Sequence, residues 1–406
     1  MRGSLAGIVL LVAAWSVQGA SARAEPLTVD QVVVLARTRS PEARLALTRV
    51  AEARARLTGA RVFSVDNPVI EGVSGSGSES GRTTAMELTV PLGLGFRRSG
   101  EISEARAGLE REGFLETDSQ LRVVAAALGA YYRTLHAQQR SGIAADRRAL
   151  ARELVRIAAD RLEAGDAAHL EVVVAETELS RAESEVLVEQ GNVTEAILAL
   201  ARILGLPTVT ELEVVGELGD RSLLDAATRV ALEQRADVSA AESDLRAASA
   251  ALSVARTSGW PAVALRVNYE HTRDEEVISP GLALSLPFFN RGQGARGEAV
   301  ARRDRAAVEL ETRRSAASSE AAGARLGYAS IEAAAREMEE RALPRALEVE
   351  ELAQQSYGAG KLDLPGLLVV RSGSLDTRRE HADRLLEAAE RGIELTLAVG
   401  VLPREH

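Results

Sequence analysis

Leu284-Ser285-Leu286-Pro287-Phe288-Phe289-Asn290-Arg291-Gly292-Gln293-Gly294 reads as the end of a strand, a proline-marked bend and the start of a helix. The same grammar occurs in the first half of the chain. Leu88-Thr89-Val90-Pro91 leads into Gly100-Glu101-Ile102-Ser103-Glu104-Ala105, as Leu284-Ser285-Leu286-Pro287 leads into Gly294-Ala295-Arg296-Gly297-Glu298-Ala299. From 88 to 284 the offset is 196 residues. A second echo, Arg161-Leu162-Glu163-Ala164-Gly165 against Ser356-Tyr357-Gly358-Ala359-Gly360, repeats at an offset of 195. Each copy reads strand, strand, long helix, glycine-marked tip, long helix. A period this long marks a duplicated half-protein rather than a small solenoid unit. The expected division is a leader at 1–24, a first repeat at 25–215 and a second at 216–406.

Working outward, residues 67–73 and 83–90 read as strands, joined by the Gly/Ser stretch 74–81, which has loop composition. In the second half Val263, Leu265, Val267 and Tyr269 alternate with Arg266, Asn268 and Glu270, and Leu282, Leu284 and Leu286 alternate with Ala283 and Ser285. Such two-faced strands of eight to ten residues suit a transmembrane β-barrel, with Arg266, Asn268 and Glu270 lining water. Four strands cannot close a barrel, and open edges do not persist in lipid. Three copies would supply twelve strands and a water-filled lumen. The helical stretches are about 28–60, 99–164, 170–204, 223–256, 296–359 and 364–398. The second of them would span roughly 100 Å at 1.5 Å per residue. Ile143, Leu150, Leu154 and Ile157 carry the spacing of a coiled-coil seam. Pro91, Pro287, Gly292 and Gly294 are expected to form the bends between strands and helices.

The N-terminus reads as a secretory signal: Arg2, an apolar run from Leu5 to Val17, and Ala22-Arg23-Ala24 as the cleavage site. Its apolar run is shorter than the roughly 20 residues of a spanning helix. The chain contains no cysteine, which excludes an acylated lipoprotein anchor, disulfides and thiolate metal sites. Its formal charge is -10, and losing Arg2 and Arg23 with the leader makes it -12. That balance excludes nucleic acid as a partner, because phosphate affinity needs clustered Lys and Arg. Aromatic residues are only 3% of the chain, so its apolar content is the Ala, Leu and Val of thin, closely packed helices.

The two-fold repeat, the Pro287-to-Gly294 segment and the glycine-turn helices resemble the TolC-type outer-membrane efflux duct family over about 28–400. The Pro-Phe-Phe-Asn-Arg-Gly-Gln-Gly run is most similar to its CzcC-like cation-efflux branch. The resemblance implies a mainly α protein with a small transmembrane β part: a homotrimer whose 12-strand β-barrel continues as an α-helical barrel across the periplasm. It implies a periplasmic adaptor, an inner-membrane pump of the resistance-nodulation-division type, outer-membrane lipid around the barrel, and no catalysis or cofactor. The family's acidic entrance ring would fall on Gly366 and Val369, where this chain has no acid. Glu171, matching Gly366 in the first repeat, and Asp363 are the candidate substitutes for focusing cations at the mouth. The tips at Gly165 and Gly360, with Leu162, Leu170, Leu362 and Leu364, are candidate adaptor contacts.

Other chemistry has little footing. The five histidines, His136, His169, His271, His381 and His406, lack the spacing of a metal pair. Gly292-Gln293-Gly294 lacks the Lys-Ser/Thr of a phosphate loop. The cargo expected is heavy-metal cations, with drugs, small organic solutes or a secreted protein as alternatives within the class. A periplasmic coiled-coil adaptor without a barrel is the alternative outside it.

Overall fold

The computed structural model describes residues 26–62, 67–77, 81–92, 95–165, 168–207, 212–220, 224, 235–272, 275–359 and 361–401. The leader at 1–24 and Gly360 lie outside the described residues. The chain opens with α1 (Val29–Arg39) and α2 (Pro41–Ala60). Thr28 and Gln31 form a reciprocal capping box on α1, and Ser40 with Pro41 starts α2. Strands β1 (Val69–Gly77) and β2 (Gly81–Leu92) follow, then α3 (Gly95–Glu163) and α4 (His169–Leu204). Gly205 ends α4 with φ 67°, a left-handed residue followed by Pro207. The second half gives α5 (Ala236–Thr257), β3 (Ala262–His271), β4 (Glu276–Ser285), α6 (Gln293–Glu337), α7 (Leu343–Gly358) and α8 (Leu364–Val399).

Three expectations are corrected. The Gly/Ser stretch at 74–77 is strand, paired residue for residue with 81–84 across the hairpin. Pro91 is not a bend: it sits in β2 opposite Ala264, and the strand continues through it to Leu92. Gly294 belongs to the first turn of α6, whereas Gly292, with φ 72°, is the residue that turns the chain into it. Gly292 packs against Ser258, so a side chain there would meet both strained backbone and a neighbour.

One break was not foreseen. Between α6 and α7 lies a π-helical turn, Met338–Ala342. Pro344 explains it: proline cannot donate to Glu340, and its ring would strike that carbonyl in a regular α-helix. An extra residue in the preceding turn opens the space. The matching part of α3 has no such proline and runs unbroken for 69 residues, about 100 Å.

Packing follows small residues. Val123, Ala130, Ala137, Ala144, Ala151 and Ala158 recur every seventh residue and are all buried, joined by Leu154. Ile143, Leu150 and Ile157 are only half-buried flanks. The expected seam is therefore displaced onto the alanines, whose small side chains let neighbouring helices approach closely. In α6 the buried residues Ala299, Leu310 and Ala321, and likewise Ala306, Ala317 and Tyr328, recur every eleventh residue. Seven-residue periods wind helices left-handedly, whereas eleven-residue periods keep them near straight or slightly right-handed. The main core surrounds the middle of α3. There Val32, Leu128, Tyr132, Leu200, Leu204, Leu224 and Ala388 cluster, and α3 is buried nearly all round between Leu121 and Ala137. The segment between the repeats is clamped to this core: Tyr131 Oη donates to Val215 O at 2.9 Å and Tyr132 Oη to Asp220 O at 2.8 Å.

Candidate channel surfaces

The four strands form one antiparallel sheet in the order β1-β2-β3-β4, so β2 and β3 splice the two repeats together. Residues directly opposite in an antiparallel pair share a face. The register therefore places Glu71, Glu87, Thr89, Arg266, Asn268, Glu270 and Ser279 on one face. The other carries Ile70, Met86, Leu88, Val90, Val263, Leu265, Val267, Ile278, Leu282 and Leu284. Of these, Ile70, Ile278 and Leu282 are each about two-thirds exposed or more in the single chain, at 67%, 69% and 72%. An apolar face this open needs lipid. Arg266, Asn268 and Glu270 do share the polar face, and Arg266 Nε pairs with Glu87 Oε1 at 2.9 Å. The carboxylates of Glu71 and Glu87 lie directly opposite one another; both fall in strands legible at 67–73 and 83–90, but the hairpin register that sets them side by side has no local signal in the sequence.

At the other end of the helices, Gly165 turns the first tip with φ 80°. Leu162 is 37% exposed and Leu170 70%, while Leu362 is half-buried and lies against Gly366. A small cluster behind the tip joins both hairpins: Leu154, Ala158, Val172 and Ala175 pack with Tyr357 and Leu368. Glu171 sits in the first turn of α4 and pairs with Arg161 at 3.1 Å. Asp363 caps α8, its carboxylate accepting from Gly366 N at 2.9 Å. The structure thus gives each candidate ring carboxylate a partner within its own protomer. At the repeat offset of 195, Asp363 corresponds to Ala168, which caps α4 without a side-chain bond, and Gly366 corresponds to Glu171.

Between sheet and tip, α8 is laced to its neighbours by ion pairs. Arg371 meets Glu153 of α3 at 3.3 Å, Arg378 meets Glu350 of α7 at 3.3 Å, and Arg379 meets Glu185 of α4 at 3.4 Å. Arg140 bridges Glu189 at 2.8 Å and Asp383 at 3.2 Å, and Asp383 also meets His136 Nε2 at 2.7 Å. Burial pushes the Glu189 carboxyl up, but hydrogen bonds from Asn192 and Arg140 outweigh it and hold the group below the usual range. Among the described residues no group of three or more His, Asp or Glu side chains could hold a metal ion. Nor is any described helix long and apolar enough to cross a membrane.

A sheet with two open edges and one lipophilic face, continued end-on by helices about 100 Å long, defines the protomer of an outer-membrane duct. Residues 32–206 and 227–401 each match the family model described as outer membrane efflux protein. The chain belongs to that family, and it is an outer-membrane efflux channel of a tripartite system, trimeric, working with an adaptor and an inner-membrane pump. It is a passive channel and not an enzyme. It is 27% identical to Protein CyaE of Bordetella pertussis over 96% of this chain and 87% of that one. It is 24% identical to the cobalt-zinc-cadmium resistance protein CzcC of Cupriavidus metallidurans over 84% of this chain and 82% of that one. The fold matches the CmeC outer membrane channel of Campylobacter jejuni with a TM-score of 0.74, at 16% identity, over 92% of this chain and 85% of that one.

Proposed function

We propose that this duct carries heavy-metal cations, handed to it by a pump of the resistance-nodulation-division type through a periplasmic adaptor. The observation that carries the reading is the acidic polar face of the sheet. Three copies would ring the lumen with Glu71, Glu87 and Glu270, against Arg266 as the one basic residue of that face among the described residues. Clefts lined by one sign of charge concentrate the opposite ion. Similarity to a cobalt-zinc-cadmium resistance protein supports the same cargo. Glu171 and Asp363 would add negative charge at the periplasmic mouth, and Gly165, Gly360, Leu162, Leu170, Leu362 and Leu364 would meet the adaptor. Residues 1–24 would direct export and be removed, leaving a mature chain with no cysteine to acylate.

The test is metal export in cells lacking the chain but retaining its pump and adaptor. Restoring the chain is expected to lower cell-associated cobalt, zinc or cadmium and raise the tolerated concentration. Unchanged metal content, with organic solutes exported instead, would overturn the cargo. In planar bilayers the channel is expected to prefer cations, and Glu71→Gln with Glu87→Gln to reduce that preference.

A further inference from the structure

Where the sheet meets the helices, four chain segments come together at one level. Leu92, Val263 and Leu284 are in register at that end of the sheet. Gly292 lies against Ser258, and the Gly259 Cα faces Arg291 O and Arg296. Gly100 packs on Val254, and Arg98 Nη2 donates to Arg61 O at 2.7 Å. The end of α2, the start of α3, the end of α5 and the start of α6 thus form a continuous collar. The four stretches 57–62, 95–100, 255–261 and 286–297 contain Arg61, Arg97, Arg98, Arg256, Arg291 and Arg296, and no Asp or Glu. That is a local reversal in a chain of net charge -10. Arg97 is answered by Glu101 at 2.9 Å. Arg61, Arg256, Arg291 and Arg296 are exposed, and among the described residues none of these four takes part in an ion pair. Immediately on the membrane side stand Trp260, Leu286, Phe288 and Phe289, the last 95% exposed. Aromatic side chains so placed sit at the headgroup level of a bilayer.

We propose that this collar binds the phosphates of anionic glycerophospholipids in the periplasm-facing leaflet, with the aromatic residues seated in the acyl boundary above it. The proposal rests on the sheet lying in the membrane. Arginine suits the task because its planar fork engages phosphate oxygens through two bonds. Basic side chains at an anionic surface each add to its attraction for the protein. Four arginines per protomer without an ion pair among the described residues therefore enrich anionic lipid at the junction. The collar also fixes how deep the sheet sits, which sets where the helices emerge toward the adaptor.

The experiment uses the mature protein, residues 25–406, in which loss of the leader with Trp15 leaves Trp260 as the single tryptophan. It is reconstituted in phosphatidylcholine vesicles containing a minor fraction of brominated phosphatidylglycerol or, separately, brominated phosphatidylcholine. The glycerol lipid is expected to quench Trp260 at least about twofold more strongly, with the difference shrinking in high salt. Replacing Arg61, Arg256, Arg291 and Arg296 by Gln is expected to bring the two lipids to equal quenching while trimer mass in detergent is unchanged. Equal quenching by both lipids in the parent protein overturns the collar and leaves the membrane reading standing. No quenching by either overturns both. Should the fourfold variant fail to assemble, the lipid preference and salt dependence of the parent protein still decide.

Discussion

Arg235 offers the sharpest test of what holds the helical barrel together. Its side chain is 10% exposed and makes bonds of 2.9 and 2.8 Å to the two carboxylate oxygens of Asp237, itself 8% exposed. It also meets Glu320 of α6 at 2.7 Å and the Ala398 carbonyl of α8 at 3.2 Å. One guanidinium therefore ties the start of α5 to α6 and to the end of α8. Removing one partner of a buried pair leaves an uncompensated charge, at a cost of about 3–5 kcal/mol. Asp237 would keep the Val238 amide at 3.0 Å and the field of Arg313, so Arg235→Ala belongs near the lower figure, about 3 kcal/mol. With an unfolding entropy of about 2.1 cal/mol/K per residue over roughly 380 residues, that lowers the thermal midpoint by about 4 °C.

The pH dependence gives that variant a second reading. Burial alone raises the Asp237 carboxyl, but its bonds and charge contact with Arg235 dominate and hold it below the usual range. A depressed carboxyl contributes stability above its unfolded pKa, near 3.9, and loses it as pH falls through the lower folded value. Without Arg235 the same buried carboxyl rises instead, and protonation relieves its penalty. The gap between parent and variant is therefore expected to be widest at pH 7 and to narrow toward about pH 4. Circular dichroism melts of the detergent-solubilised trimer over that range are the measurement. A drop below about 1 °C at pH 7, or a gap that widens in acid, would refute the reasoning. Replacing both residues by Met and Leu should cost less than Arg235→Ala alone, because no orphaned charge remains.

The remaining predictions concern packing and the tip. Ala151→Leu should destabilise by about 1–3 kcal/mol through overpacking of the alanine seam, whereas Ile143→Ala, at a half-buried flank, should cost less; reversed sizes in thermal melts would move the seam back to the large residues. Gly216→Ala should displace the Tyr131 hydroxyl from Val215 O, because the new methyl falls on that oxygen; its loss should be at least that of Tyr131→Phe, about 1 kcal/mol, and a neutral melt would show that the inter-repeat segment yields instead. Asp363→Asn should preserve the cap on α8 while Asp363→Ala loses about 1 kcal/mol; equal stability of the two would remove the capping role. Glu171→Gln breaks only an exposed pair, worth about 0–1 kcal/mol, so a change in cation conductance without a change in melting is the outcome that supports a ring at the mouth.

The duplicated plan was legible because it rests on punctuation. Proline and glycine at 207 and 205, the capping Thr28, and two-residue alternation in β3 each mark a local event that tertiary contacts do not override. The seam is not legible because large apolar residues look like the buried ones. In helices packed at close range the buried position goes to alanine, and leucine or isoleucine flanks it. Glu71 lies within the strand legible at 67–73, but its place opposite Glu87 depends on a hairpin register that no local pattern announces. The far end of that strand, 74–77, is built from Gly and Ser, since partner backbone rather than side-chain bulk defines it. The ion pairs of Arg235 and of α8 join residues far apart in sequence, so no local pattern announces them.

The two repeats diverge where the protein has most need of difference. Trimer symmetry acts on whole chains, so whatever distinguishes the first hairpin from the second is repeated three times around the axis and alternates at the mouth. The first hairpin has an unbroken α3 and an acid, Glu171, one turn into α4. The second has a π-helical turn before Pro344 and places its acid, Asp363, at the cap. A heptad seam favours left-handed winding of α3 toward its tip, whereas the eleven-residue period of α6 favours near-straight or slightly right-handed packing beneath the sheet. Straight helices can stand side by side as a wall, and supercoiled ones gather into pairs. The sequence period therefore changes along the duct in the sense needed for a cylinder near the membrane that resolves into separate hairpins at the periplasmic end, and the π turn gives the second hairpin a departure from that path which the first does not have.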